Sequence, residues 1–216
     1  MIATGNYRNW DTSLYKVCSI SGDRGNMVGY KGKCYPKLAP KMSFWKIWHS
    51  NIGVISEIEN NKYYIEEYYK QVLSKLDPQT VYDDLDYHIL LCYEQSNEFC
   101  HRHIVSSWFE LFLVVEVNEK TLENNYLENI ERPAYIKEVL EDVIKKNKNM
   151  RGFNSLAAIY LFEKSEDCEK EAEIYEKETG KSGDSYRQMA CYLRCDADEA
   201  EAKYNELKRK ERIKRK

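Results

Sequence analysis

The sequence is short of the residues that would place it in several common classes. Only 4 Pro and 9 Gly occur among 216 residues, too few for a low-complexity or collagen-like chain. No stretch approaches the roughly 18 consecutive apolar residues of a membrane span. Met1 to Trp10 also lacks the basic-then-apolar order of a secretory signal. The expectation is a protein without a membrane segment, at home in the cytoplasm. Cysteine itself is not scarce, but regular pairing is: seven Cys stand at 18, 34, 92, 100, 168, 191 and 195, an odd and irregular set that argues for reduced thiols rather than a disulfide framework. Net charge is small, with 33 Lys plus Arg against 36 Asp plus Glu. With 43% hydrophobic and 32% charged residues, the chain can bury a sizeable core, as one large domain or two small ones.

What is present reads as two regions. In the first, Ile2-Ala3-Thr4 and Lys16 to Ile20 are short strand-like runs, the second followed by the turn-rich Ser21-Gly22-Asp23-Arg24-Gly25. Tyr64, Tyr68, Val72 and Leu76 recur every four residues and predict a helix ending near Asp77-Pro78. His88-Ile89-Leu90-Leu91-Cys92 is the clearest strand, apolar enough for burial on both faces. Ser96 and Asn97 are candidate caps for the next helix, which carries Cys100, Ile104, Trp108 and Leu111, and Val114 to Val117 reads as a further strand. Alternating strands and helices predict an α/β fold with a mainly parallel, layered, Rossmann-like sheet over residues 1–118.

Composition shifts at Asn118. Residues 119–132 read as a linker, Pro133 is placed to open a helix, and residues 133–216 read as an all-helical bundle. Ile136, Val139, Leu140, Val143 and Ile144 form one apolar stripe there, and Ala197, Ala200, Tyr204 and Leu207 another. The last nine residues hold seven basic groups and one acid, a net charge of +6, which leaves -9 on the rest. Such a run is a solvated, disordered tail by default. As a binding arm, Lys208, Arg209, Lys210, Arg212, Lys214, Arg215 and Lys216 would take a nucleic acid through its phosphates. The Tyr-rich helical region is a candidate surface for a protein partner.

The segment from Leu90 to His103, LLCYEQSNEFCHRH, concentrates the chemistry. It places Cys92 and Glu94 at the carboxyl end of a buried strand, and Cys100, His101, Arg102 and His103 in the first turn of the next helix. Ligands of open α/β sheets bind at that edge, and a helix N-terminus offers unpaired N–H groups to an anion. Cys92, Glu94 and His101 are the candidate catalytic groups. Cys100 and Arg102 are candidate ligand contacts, with the guanidinium facing the cleft, so that removing it should weaken binding and spare folding. Lys37, beside Ala39-Pro40, could line an anion site. His103 is expected to face solvent. Cys92, Cys100, His101 and His103 are conceivable zinc ligands, but a Cys-x7-Cys-His-x-His spacing matches none of the usual clips, so no metal is expected. Nothing in the sequence identifies a cofactor.

Cys92-Tyr93-Glu94, a short turn and then Cys100-His101-Arg102 resembles the motif of the "domain of unknown function 488" family. The resemblance extends upstream over Ile2 to Tyr7, Cys18 to Ser21 and Tyr35 to Pro40, and covers roughly residues 1–118. It implies an α/β domain with a polar site at the motif, and it adds Thr4 and Asn6, from the opening strand and polar turn, to the candidate ligand contacts. Gly22-Asp23-Arg24 departs from the Ser-Ile-Ala-Arg type of ending of that family. Residue chemistry and resemblance together suggest binding of an anionic small molecule, a nucleotide or a nucleic-acid-derived group, with Cys/Glu/His catalysis as one version and a non-catalytic sensor or adaptor as its rival.

Overall fold

The computed structural model describes residues 2–9, 16–123 and 126–214, and the chain divides into two compact units, Met1–Asn147 and Lys148–Lys216. In the first unit, strands β1 (Ala3–Asn6), β2 (Val17–Ser19), β3 (Lys33–Cys34), β4 (Ile89–Cys92), β5 (Asn118–Glu123) and β6 (Tyr126–Ile130) form one sheet in the order β3-β2-β4-β1-β5-β6. The first five run parallel, and β6 returns antiparallel to β5. All four residues of β4 are buried, as a central parallel strand covered on both faces requires. The mainly parallel α/β expectation holds.

The helices follow local rules where caps are strong. Helix α1 spans Met42–Ser50. In α2 (Glu57–Gln71), Ser56 Oγ accepts from the Glu59 N–H and donates its hydroxyl to the Glu59 carboxylate, an N-cap reinforced by its side-chain partner. In α3 (Pro78–Asp84), Asp77 caps the N-terminus and Pro78 occupies the first turn. Helix α4 (His101–Leu113) begins later than Ser96 and Asn97 suggested. Its N-cap is Cys100, whose side chain makes no capping bond. Eleven of its thirteen residues are buried, because α4 packs against α2, α3 and the sheet and also against α5 (Tyr135–Asn147). A helix covered on all sides needs no polar face.

Two boundaries differ from the sequence reading. Val114 to Val117 is not a strand: Val114 adopts a left-handed φ of 55° at the end of α4. That conformation breaks extended structure and is costly for a β-branched residue. The strand starts at Asn118, so residues 119–132 hold most of a β-hairpin rather than a linker. Helix α5 packs on α2 and α4, which moves the unit boundary from that segment to Asn147 and Lys148.

The second unit is an antiparallel hairpin of α6 (Leu156–Thr179) and α7 (Asp184–Lys214), not a larger bundle. Ala172, Ala190 and Ala197 are buried, and small side chains let the helices approach closely. At Gly183 a Cβ would stand 2.9 Å from the Ala172 carbonyl oxygen, so only glycine fits the turn. Arg187 with Glu176 and Arg194 with Glu169 bridge the two helices. Lys208 to Lys214 continue α7 as helix rather than forming a disordered tail, and Lys210 pairs with Glu206 at 2.7 Å. Arg215 and Lys216 lie outside the described residues. No helix among the described residues is long and apolar enough to cross a membrane.

The interior polar network of the first unit centres on Glu119 in β5. Its carboxylate accepts from Thr4 Oγ1 at 2.6 Å and from Arg102 Nη2 at 2.9 Å, and His103 Nε2 lies 3.4 Å away. Burial by itself would raise the Glu119 carboxyl, but the His103 ring and the Arg102 guanidinium outweigh it and hold the group below the ordinary carboxylate range. A depressed carboxyl contributes stability above its unfolded-state pKa, about 4.3, and loses it as pH falls through the lower folded value. We expect Glu119→Gln to be less stable than wild type at neutral pH, with the gap closing below about pH 4. All four Trp belong to the first unit, at 10, 45, 48 and 108, so urea titrations read by tryptophan fluorescence across pH would measure that unit alone. A gap independent of pH would assign the effect to packing.

Candidate functional site

The site forms where β4 ends. Register pairs Asn6 with Cys92, and the Ile20 N–H bonds to the Leu91 carbonyl at 3.2 Å. The carboxyl ends of β1, β2 and β4 therefore meet at one edge of the sheet. The turn 93–100 then brings the start of α4 back over this edge, so that Cys100 and His101 face Cys92. His101 Nδ1 lies 3.7 Å from Cys92 Sγ and 3.8 Å from Cys100 Sγ, while Cys100 Sγ is 2.8 Å from Glu94 Oε2.

The tautomer of His101 follows from its other nitrogen. Nε2 is 3.0 Å from the Ile20 carbonyl oxygen. A carbonyl only accepts, so Nε2 carries the hydrogen and the lone pair of the neutral ring sits on Nδ1, toward the two sulfurs. Tyr68 packs edge-on against the ring at 5.8 Å between centroids, which holds its plane.

The four groups share their protons unequally. Burial pushes the Cys92 thiol up, and the neighbouring Cys100 sulfur pushes it further. Burial would also raise Cys100, but the Cys92 hydrogen bond and the positive charges of Arg102 and His101 bring its thiol well below the ordinary value. For His101, burial favours the neutral ring and the Cys100 charge more than reverses that, so its pKa is raised. Glu94 is pushed up to about 7, first by burial and then by the Cys100 charge. The deep end of the site is thus a set of groups whose proton affinities are pushed apart by burial and by one another, as at sites of chemistry.

Above them lies a cavity of about 370 Å³. Cys92, Cys100 and His101 lie among its buried lining residues, and the exposed Met27 and Met42 mark the outer side. Trp45 and Trp48 from α1, Tyr64 from α2 and Phe99 from the turn add aromatic wall. Phe99 stacks edge-on against Tyr64 at 5.2 Å and lies 5.8 Å from Trp48. The remaining edge is the loop after β2, organised by Asp23. Its carboxylate accepts from the Tyr93 hydroxyl at 2.5 Å and from the Gly25 and Met27 N–H groups at 3.1 and 3.2 Å. Gly25 is obligatory there, since its φ is 80° and a Cβ would meet Tyr30 Cβ at 2.7 Å.

Of the residues singled out from sequence, Cys92, Glu94, Cys100 and His101 converge on this cavity. Arg102 does not. It is fully buried, its Nε and Nη2 bond to Glu119, and Nη2 also bonds to the Gln95 carbonyl at 3.0 Å. His103 is buried rather than solvent-facing. Both corrections have one cause, the all-round burial of α4. Thr4 is fully buried and donates to Glu119, and Asn6 Nδ2 donates to Gln95 Oε1 at 3.0 Å. They brace the site without lining it. Lys37 is exposed, with Nζ 5.6 Å from the Tyr35 ring centroid, and is not a wall residue. Arg24 is likewise outside the lining, and its neighbour Asp23 takes the structural part.

Three of the four conceivable zinc ligands, Cys92, Cys100 and His101, place one ligand atom each within 4.8 Å of one another. His103 points its partnership to Glu119 instead. The aromatic and Asp23 walls were missed from sequence, since α1 and the loop 21–27 reach the site only through the fold. The one local signal was Cys100 itself, a thiol at an N-cap where Ser, Thr, Asp or Asn would cap better.

The chain matches no protein-family model, no curated protein and no solved structure. The resemblance to the "domain of unknown function 488" family therefore rests on the quoted residues alone.

Proposed function

We propose that the first unit is an enzyme domain that takes a small, flat, largely apolar or heteroaromatic molecule into the cavity and acts on it with Cys92, Glu94, Cys100 and His101. The convergence of two thiols, an imidazole and a carboxyl at the buried end of an apolar cavity carries this reading. Apolar walls supply binding energy and exclude water, and a few convergent polar groups supply orientation and chemistry. An anion as the main recognition element fits less well, because the Arg102 guanidinium is committed to Glu119 and the cavity presents Asp23 and Glu94. A nucleobase, planar and heteroaromatic, remains within the class that these walls suit.

Gly22 provides the test. It lines the cavity, and a Cβ placed on it meets no atom within 4 Å, so a larger side chain is tolerated there and should narrow access to the cavity. Ligand-observed NMR against a library of small aromatic compounds should find binders to the wild type. Gly22→Phe should weaken them by at least about tenfold, about 1.4 kcal/mol, at an unchanged melting temperature. Binders indifferent to Gly22→Phe, or none at all, would remove the cavity from the function.

A further inference from the structure

We propose that Cys92 Sγ, Cys100 Sγ and His101 Nδ1 bind one zinc-class divalent ion whose fourth coordination position opens into the cavity. The inference deepens the proposed function and rests on it for the open position, but the three ligand atoms stand on geometry of their own. A tetrahedral zinc with bonds of about 2.3 Å to sulfur and 2.0–2.1 Å to nitrogen separates a sulfur from a nitrogen by about 3.6 Å. The two sulfur to Nδ1 distances are 3.7 and 3.8 Å. Both sulfur to nitrogen edges thus match such a tetrahedron, and all three ligand atoms lie within 4.8 Å of one another.

Chemistry and orientation agree with this spacing. Two sulfurs and an imidazole are the donor set that favours zinc over magnesium or calcium. The hydrogen bond from His101 Nε2 to the Ile20 carbonyl leaves Nδ1 as the donor atom, the usual way a ligating histidine is aimed. Glu94 Oε2, at 2.8 Å from Cys100 Sγ, is too close to that sulfur to be a co-ligand on the same tetrahedron. It stands beside the sulfur as a hydrogen-bonding neighbour. Two thiolates and a neutral imidazole cancel the charge of a divalent ion, which a buried position requires. Among the described residues the cluster holds three ligand atoms, and the cavity touches all three residues, which leaves a fourth position facing it. Three protein ligands with one open position are the pattern of catalytic rather than structural zinc.

Cobalt(II) is a coloured stand-in for zinc. The full-length reduced protein, freed of metal by a chelator, should take up one cobalt per chain. It should show a thiolate-to-cobalt charge-transfer band of two-sulfur intensity and visible bands of tetrahedral strength, and zinc should bleach both. Azide or imidazole should then shift the visible bands by occupying the open position. Cys92→Ser, Cys100→Ser and His101→Ala should each lower cobalt affinity more than about 100-fold, beyond the 10–100-fold typical of outer-shell changes, whereas Cys168→Ser/Cys191→Ser/Cys195→Ser should not. Should the ligand variants fail to fold, the two-sulfur band of the wild type and zinc protection of Cys92 and Cys100 from iodoacetamide, read by mass spectrometry, still decide the matter. An absent or one-sulfur spectrum, or a Cys92 to Cys100 disulfide in its place, would overturn the ion while leaving any aromatic ligand of the cavity intact. A cobalt spectrum deaf to azide and imidazole would overturn the open position. Cobalt bound and responsive with no aromatic ligand found would uphold the ion and sink the cavity reading instead.

Discussion

Arg102→Ala is expected to unfold the first unit more readily by about 3–5 kcal/mol, the cost of leaving one member of a buried ion pair alone. Glu119 would keep Thr4 as a partner but lose its guanidinium, and the Gln95 carbonyl would lose a donor. For the unit Met1–Asn147, each kcal/mol shifts the melting temperature by roughly 2–4 °C, so a drop of about 10 °C should appear by tryptophan fluorescence. The double variant Arg102→Met/Glu119→Leu removes both charges at similar volume and should recover much of the loss, because an apolar pair can replace a buried ion pair at little cost. Arg102 does not line the cavity, although its Nη1 stands 4.0 Å from Glu94 Oε2, so the folded fraction of Arg102→Ala should keep its affinity for uncharged aromatic ligands to within about threefold, well under 1 kcal/mol. A normal melt with lost binding would return Arg102 to the ligand site.

Trp108→Ala should cost a comparable 3–5 kcal/mol, roughly, for a large aromatic removed from a close-packed interior. Trp108 is 1% exposed and packs against Phe109 at 5.2 Å and Phe112 at 6.3 Å between ring centroids. Trp108→Phe keeps most of that volume and should lose much less. The effect bears on the site because α4 carries Cys100 and His101 at its first turn, and a helix that fits loosely cannot hold them at a tetrahedral spacing. Urea midpoints read by far-UV circular dichroism would report the loss. Equal costs for the Phe and Ala variants would show that the indole N–H, rather than the ring volume, matters here.

How legible the protein was depends on the range of each determinant. β4 could be read because four consecutive apolar residues announce a doubly covered strand. Helix α2 could be read from Tyr64 and Tyr68 at four-residue spacing, whereas Asp77-Pro78, read only as a helix end, is in fact the cap and first turn of α3. The four chemical groups of the site were legible because Cys92 to His101 is a single strand-turn-helix. The start of α4 was misjudged because Ser96 and Asn97 are better caps than the Cys100 that occupies the place, and local propensity yields where a side chain is held for another purpose.

The sequence by itself determined the parallel α/β class, the helical C-terminal region and the gathering of Cys92, Glu94, Cys100 and His101 near one turn. Periodicity and capping act between residues a few positions apart, so they need no knowledge of the fold. Only the tertiary structure decided what those groups face. The order β2-β4-β1-β5 sets the Ile20 carbonyl against His101, 81 positions away in the chain, and Glu119 against Arg102, 17 positions away. One contact fixes which imidazole nitrogen meets the sulfurs, and the other takes the guanidinium out of the ligand site. Both are decided by which strands lie side by side, because a buried donor or charge must find its partner wherever the fold brings one within reach.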